Sequence, residues 1–261
     1  MIVLLFFASL LWSEEVTIIK QWHLSPGQQT LDTEASKKLP QFTNQRAIYD
    51  KILKMAESGK VITVISEGCE GDVNKANHYG WDFEKLENKK ASSDFADILA
   101  FTPVKLKVKL GSKVKIVCSD SDELMKKNSL AFSNLRAFSG YYSRLKQFKD
   151  KDKKNYSTYE ESLFSKQKDK IGKVDAINYA REKALESIGE IKKYIDERNQ
   201  KIIENAKALL SEDPVVIVGG LHAKGLVEEM KKKNIKFNVF VPDGYREEDE
   251  GLLQSLESQL K

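Results

Sequence analysis

The sequence predicts an α/β domain with a mostly parallel sheet and helices on both faces. Three observations point there. Val215-Val216-Ile217-Val218 is an unbroken β-branched run, apolar on both sides, as suits a central parallel strand covered on both faces. Similar β-branched runs, Val16-Thr17-Ile18-Ile19 and Val61-Ile62-Thr63-Val64-Ile65, are followed by turn residues that each carry a polar side chain. Between the runs, apolar residues recur at helical spacing, so strands and helices alternate along the chain.

Taken in order, Met1 to Trp12 is an apolar run too short to span a bilayer. Residues 1–13 read as the hydrophobic part of a signal peptide, with cleavage after Ser13, although no basic residue precedes the run. The competing reading is a first buried element of the domain. A periplasmic or secreted location follows from the first reading. Residues 14–261 then form a single domain. Its first strand leads to Trp22, His23 and a Ser25-Pro26-Gly27 turn. Ile48, Ile52 and Met55 mark a helix before the second strand, which ends at Ser66-Glu67-Gly68-Cys69. The third strand, Lys115 to Cys118, runs into Ser119-Asp120-Ser121-Asp122-Glu123. Asp120 followed three residues later by Glu123 reads as a capping box, which makes these acids helix caps before catalysts.

Leu135, Phe138, Tyr142 and Leu145 continue that helix, and the lysine-rich residues 149–173 read as a polar surface excursion. In the next helix Ile188, Ile191, Ile195, Ile202, Ala206 and Leu209 form one stripe, and Arg198 fills its single seven-residue gap. Arg198 therefore points inward and needs an anionic partner, with Glu67 or a substrate as the candidates. Val215 to Val218 follows, ending at Gly219-Gly220-Leu221-His222, and Gly225 lies just beyond. Glycines here let the backbone turn sharply and a ligand come close. Leu226, Val227 and Met230 mark a helix, and Phe237 to Val241 a last strand.

At 261 residues, with 41% hydrophobic and 31% charged residues, the chain can bury one sizeable core beneath a soluble surface. A net charge of +4 and lysine runs without interleaved aromatics argue against a nucleic-acid partner. No segment after the first is long and apolar enough for a membrane span. Cys69 and Cys118 both lie near strand ends. Free, partly buried thiols are the expectation; pairing in an oxidising compartment, if their strands are neighbours, is the alternative, and no Cys-x-x-Cys spacing suggests zinc. His78, in an Asn-rich stretch, reads as surface.

Ligands of open α/β sheets sit beyond the carboxyl ends of the strands. His23, Glu67 and His222 all fall there, with Arg198 in support and Gly68, Asn199, Gly219, Gly220 and Gly225 shaping the loops. Glu197-Arg198-Asn199 on a late helix, followed by Gly219-x-x-His222, resembles the TraB/Tiki (GumN-like) family within the erythromycin-esterase-like/ChaN-like superfamily. The family's strand-end glutamate matches Glu67. Its early Gly-x-x-His matches Lys20-Gln21-Trp22-His23, with lysine where the family has glycine. The resemblance runs from His23 to about Val241. It implies metal-dependent peptidases, pheromone-inactivating membrane proteins, ester hydrolases or haem-binding proteins as relatives.

Two imidazoles and a carboxylate leave open positions on a divalent ion such as manganese, cobalt or zinc. The leading expectation is a metal-dependent hydrolase of an amide or ester bond, with a peptide or small ester as substrate. His23, Glu67 and His222 would hold the ion, and Glu67 and Arg198 would serve the chemistry. Two alternatives stay open. One is a haem- or small-ligand-binding protein using Trp22 or the Tyr141-Tyr142 pair. The other is a metal-free hydrolase of the erythromycin-esterase type with His23 as base.

Overall fold

The computed structural model describes residues 14–22, 38–72, 106–107 and 110–261. Its centre is a five-stranded, all-parallel sheet in the order β3-β2-β4-β1-β5. The strands are β1 (Val16–Gln21), β2 (Ile62–Ser66), β3 (Val114–Cys118), β4 (Val215–Gly219) and β5 (Phe237–Phe240). Every residue of β2 and β4 is buried. β4 lies in the middle of the sheet, where an unbroken β-branched run belongs.

The period of two along each strand divides the core into two layers. Val215 and Ile217 of β4, with Ile19 of β1 and Val64 of β2, pack on Ile48 and Ile52 of α1 (Pro40–Ala56). Val216 and Val218, with Ile18 and Ile65, pack on the opposite face against Ile202, Ile203 and Ala206 of α4 (Ala176–Ala208). Ala223, Leu226 and Met230 of α5 (Gly220–Lys232) complete that layer. Helices thus cover both faces. The connection leaving β1 crosses one face through α1, and that leaving its neighbour β4 crosses the other through α5. The crevice between the ends of β1 and β4 is therefore a topological switch point, the usual ligand position in such sheets.

Two long helices, α2 (Asp122–Phe148) and α4, carry the chain beyond the sheet. At about 1.5 Å per residue, the 33 residues of α4 span roughly 50 Å, well past strands of five residues. They run in opposite directions: Ala131 and Leu135 share a cluster with Ile188 and Ile191, while Leu145 shares one with Ala176 and Ala180. Residues 149–173, read as a polar surface excursion, are mostly exposed but dock on this arm through a few rings. They contain α3 (Lys153–Leu163), and Phe164 beyond it is 1% exposed among Leu145, Ala176 and Ala180. Tyr159 stacks on Phe148, and the Tyr141 and Ser162 hydroxyls are hydrogen-bonded at 2.9 Å. Aromatic rings supply the burial that the segment's aliphatic content lacks. The same packing removes Tyr141 and Tyr142 from the sheet edge, where a ring ligand for haem was expected. A last helix, α6 (Leu252–Leu260), lays Leu253 and Leu260 on the inner half of the arm.

No helix among the described residues is long and apolar enough to cross a membrane. The segment 1–13, read as a signal peptide, lies outside the described residues, as do His23 and His78.

Cys69 and Cys118 form a disulfide with their α-carbons 4.9 Å apart, where free thiols were expected. The reason is the register, because β2 and β3 are neighbours and Ser66 pairs with Cys118. The bridge closes a loop across 49 residues of sequence. Reducing it should lower stability by about 2–4 kcal/mol, chiefly by freeing the unfolded chain. Urea unfolding of the oxidised protein and of a Cys69→Ser/Cys118→Ser variant checks this. Coincident midpoints would refute it.

Candidate active site at the strand ends

Glu67, Asp120 and His222, which follow the carboxyl ends of β2, β3 and β4, meet Arg198 and Asn199 of α4 in a largely dry cluster. Glu67 follows β2 directly, and its Oε1 accepts the Gly219 N–H at 2.7 Å. Its Oε2 lies 3.2 Å from His222 Nε2, with both side chains at most 7% exposed. On the other side of the ring, His222 Nδ1 is 2.7 Å from Asn199 Oδ1. Glu67, His222 and Asn199 therefore form one chain of contacts, from the end of β2 through the start of α5 to the middle of α4.

His222 was expected in a glycine-lined turn. The strand instead passes straight into α5, with Gly219 as its N-cap and His222 in the first turn. Gly219 has φ −69°, an ordinary value, so what this position contributes is an amide for Glu67. Gly68 does need its glycine: φ is +79°, in the left-handed region. Gly225 needs its own for a different reason. A Cβ there would lie 2.8 Å from Asn199 Nδ2. Asn199 is 1% exposed and tied to His222, so it cannot swing aside freely. Gly225→Ala should therefore destabilise the fold by about 1–3 kcal/mol despite alanine's better helix propensity. It should also shift the His222 ring resonances in NMR spectra. A more stable variant with an unmoved His222 signal would contradict this.

Arg198 is buried and paired, as its place in the stripe requires, but its bidentate partner is Asp120 where Glu67 or a substrate was expected. Nε donates to Asp120 Oδ1 at 2.8 Å and Nη2 to Oδ2 at 2.6 Å, with Asp120 fully buried. This is the parallel fork that suits a guanidinium and a carboxylate. Asp120 also accepts the Gly68 N–H at 2.8 Å and the Ser121 N–H at 2.9 Å. The capping assignment moves by one residue: Ser121 is the N-cap of α2, its hydroxyl accepting from Leu124 N–H. Asp120 is thus a positioning group. It holds Arg198, and through Gly68 it holds the loop that begins with Glu67. The disulfide and the hydrogen bond from Asp120 N–H to the Cys69 carbonyl, at 2.9 Å, tie the same two loops. The signal for Asp120 was present in the sequence, since it follows a strand end just as Glu67 does.

The end of β1 is fixed beside these groups by Gln21 pairing in register with Gly219. Asn44 Oδ1 accepts the Trp22 N–H at 2.8 Å, and Gln45 donates to the Trp22 carbonyl at 3.0 Å. Lys20 makes an ion pair with Glu250 at 2.6 Å. His23 follows Trp22 and lies outside the described residues.

The donor set suits a divalent ion in two respects. Ligand atoms each about 2.1 Å from one ion sit roughly 3.0–3.4 Å apart at ordinary angles, which admits the 3.2 Å between Glu67 and His222. A metal-bound histidine also usually donates its second N–H to an oxygen acceptor, the place that Asn199 Oδ1 takes. Among the described residues no three His, Cys, Asp or Glu side chains converge as a metal-binding group. The third expected ligand, His23, is not among those residues. One donor, Asn199 Nδ2, is buried with no hydrogen-bond partner among the described residues, at a cost of about 1–3 kcal/mol.

The fold and these contacts define an open parallel α/β protein with a carboxylate–imidazole pair at its strand ends. The chain matches no family model, no curated protein and no solved structure.

Proposed function

We propose that this chain is a metal-dependent hydrolase of amide or ester bonds resembling the TraB/Tiki family, with Glu67, His222 and His23 as the residues that hold the ion. The carrying observation is the orientation of His222. With Nδ1 facing the Asn199 oxygen, its N–H donates there, and a neutral ring then turns the Nε2 lone pair toward the Glu67 carboxylate. Two lone pairs at 3.2 Å repel unless something positive lies between them. A divalent ion supplies that charge, and when bound it lowers the pKa of its water and polarises the scissile carbonyl.

The protein's own contribution is orientation. Asn199 fixes the tautomer and plane of His222, and Gly219 N–H fixes Glu67. The Asp120–Arg198 pair, through Gly68, holds the loop that carries Glu67. Arg198 acts in this reading as a support for that loop. The near-complete burial of Glu67 and His222 strengthens every charge interaction at the reacting atoms. The substrate is a peptide or small ester. A secreted or periplasmic location fits the disulfide, which forms in oxidising compartments.

The pair itself favours a second reading. A proton can take the place of the ion, which makes Glu67 and His222 a metal-free acid–base dyad. Metal content of protein purified without chelators, followed by a peptide and ester panel with manganese, cobalt or zinc, separates the two. Hydrolysis that rises with added ion and vanishes with chelator supports the metal reading. Chelator-resistant hydrolysis supports the dyad. A silent panel with stoichiometric haem uptake would overturn both.

A further inference from the structure

On the Nδ1 side of His222, a cleft of ≈ 250 Å³ opens between α4, α5 and α6. That is below the roughly 300–1,000 Å³ of pockets for drug-sized ligands, so its occupant is small. Ile195, Leu221 and Leu253 give it an apolar lining. Its charges fall into two groups. Glu250 is paired with Lys20 and Lys192 with Glu257, so these four are already compensated. Asp196, Lys224 and Glu228 also line the cleft at its exposed rim, and none of the three makes an ion pair among the described residues. Lys224 and Glu228 lie one helical turn apart and still do not close on each other. Asn199 and Gly225 line the cleft as well, and the unused amide donor Nδ2 lies against the bare α-carbon of Gly225.

We propose that this cleft binds a small zwitterion, an α-amino acid with an apolar side chain. The complement of the one unpaired cation is a carboxylate, drawn to Lys224. The complement of two unpaired acids is an ammonium, drawn to Asp196 and Glu228. The apolar lining takes the side chain. Asp196 also has its carboxyl held above the usual range, first by burial and then by the Glu229 charge, a strain that a bound ammonium relieves. Asn199 bridges this cleft and His222, so occupancy of the cleft reaches the imidazole through one side chain. The binding claim does not depend on the hydrolase reading.

The test is titration of the full chain with leucine, N-acetyl-leucine and leucinamide, by calorimetry and by NMR of the histidine rings. Leucine should bind saturably in the millimolar range. Loss of either ligand charge, or Lys224→Ala in the protein, should weaken binding by about tenfold, near 1.4 kcal/mol. The His222 resonance, assigned with His222→Ala, should move in step with occupancy. Absence of saturable leucine binding, equal binding of all three compounds, or an unchanged affinity in Lys224→Ala would overturn the proposal.

Discussion

Arg198→Ala should cost about 3–5 kcal/mol of stability, the largest single-residue loss outside the apolar core. The substitution strands the Asp120 carboxylate, fully buried, with its bidentate partner removed. An uncompensated buried charge is far more expensive than a lost surface pair, which is worth under about 1 kcal/mol. Arg246, exposed and 3.7 Å from Glu248, is the appropriate control, and Arg246→Ala should be nearly silent. Asp120→Ala should be as damaging as Arg198→Ala. The double variant should be less destabilised than the sum of the two, because each single change leaves the other charge unpaired. Urea unfolding of the four proteins gives the coupling energy directly. Equal midpoints for Arg198→Ala and Arg246→Ala would show that the pair does not carry this weight.

That pair also shows where the sequence was legible. The inward direction of Arg198 could be read because helical spacing is local: a seven-residue gap between Ile195 and Ile202 admits positions 198 and 199 on the stripe, and both are buried. Its partner could not be read, since Asp120 is 78 residues away and the pairing depends on which strands are neighbours. The same ignorance hid the disulfide. Once β2 and β3 pair with Ser66 opposite Cys118, the bridge and the Asp120 contacts to Gly68 follow together. The sheet itself was legible because β-branched runs buried on both faces have few other places to go. Residues 149–173 were legible only in part from composition. Their lysines and acids suggested a solvated excursion, yet Tyr156, Tyr159 and Phe164 provide enough apolar surface to fold against α2 and α4. For the site, strand-end position selected Glu67 and His222, and the structure brings them into contact. Their arrangement with Asn199 depended on the helix phase of α4 relative to α5, which no short motif reveals.

The response of the Glu67–His222 contact to pH should decide what lies between the two groups. His222→Ala and Glu67→Gln should each abolish hydrolysis in either reading, by several orders of magnitude, since both remove half of the same pair. The two readings diverge in sign. If a divalent ion joins them, protons compete for the imidazole, and ion occupancy and the stability it confers should fall on acidification. If a proton joins them, the contact is strongest at low pH and is lost as pH rises, because deprotonation leaves two facing lone pairs. The measurement is Tm against pH for the wild-type chain and His222→Ala, with and without added manganese or zinc. Their difference isolates the pair from the other carboxylates that titrate on acidification. A gap that widens toward alkaline pH only with metal present supports the ion. A gap that narrows toward alkaline pH regardless of metal supports the proton. A gap that does neither would mean that His222 serves only to fill and tether the start of α5, and the catalytic reading would fall with it.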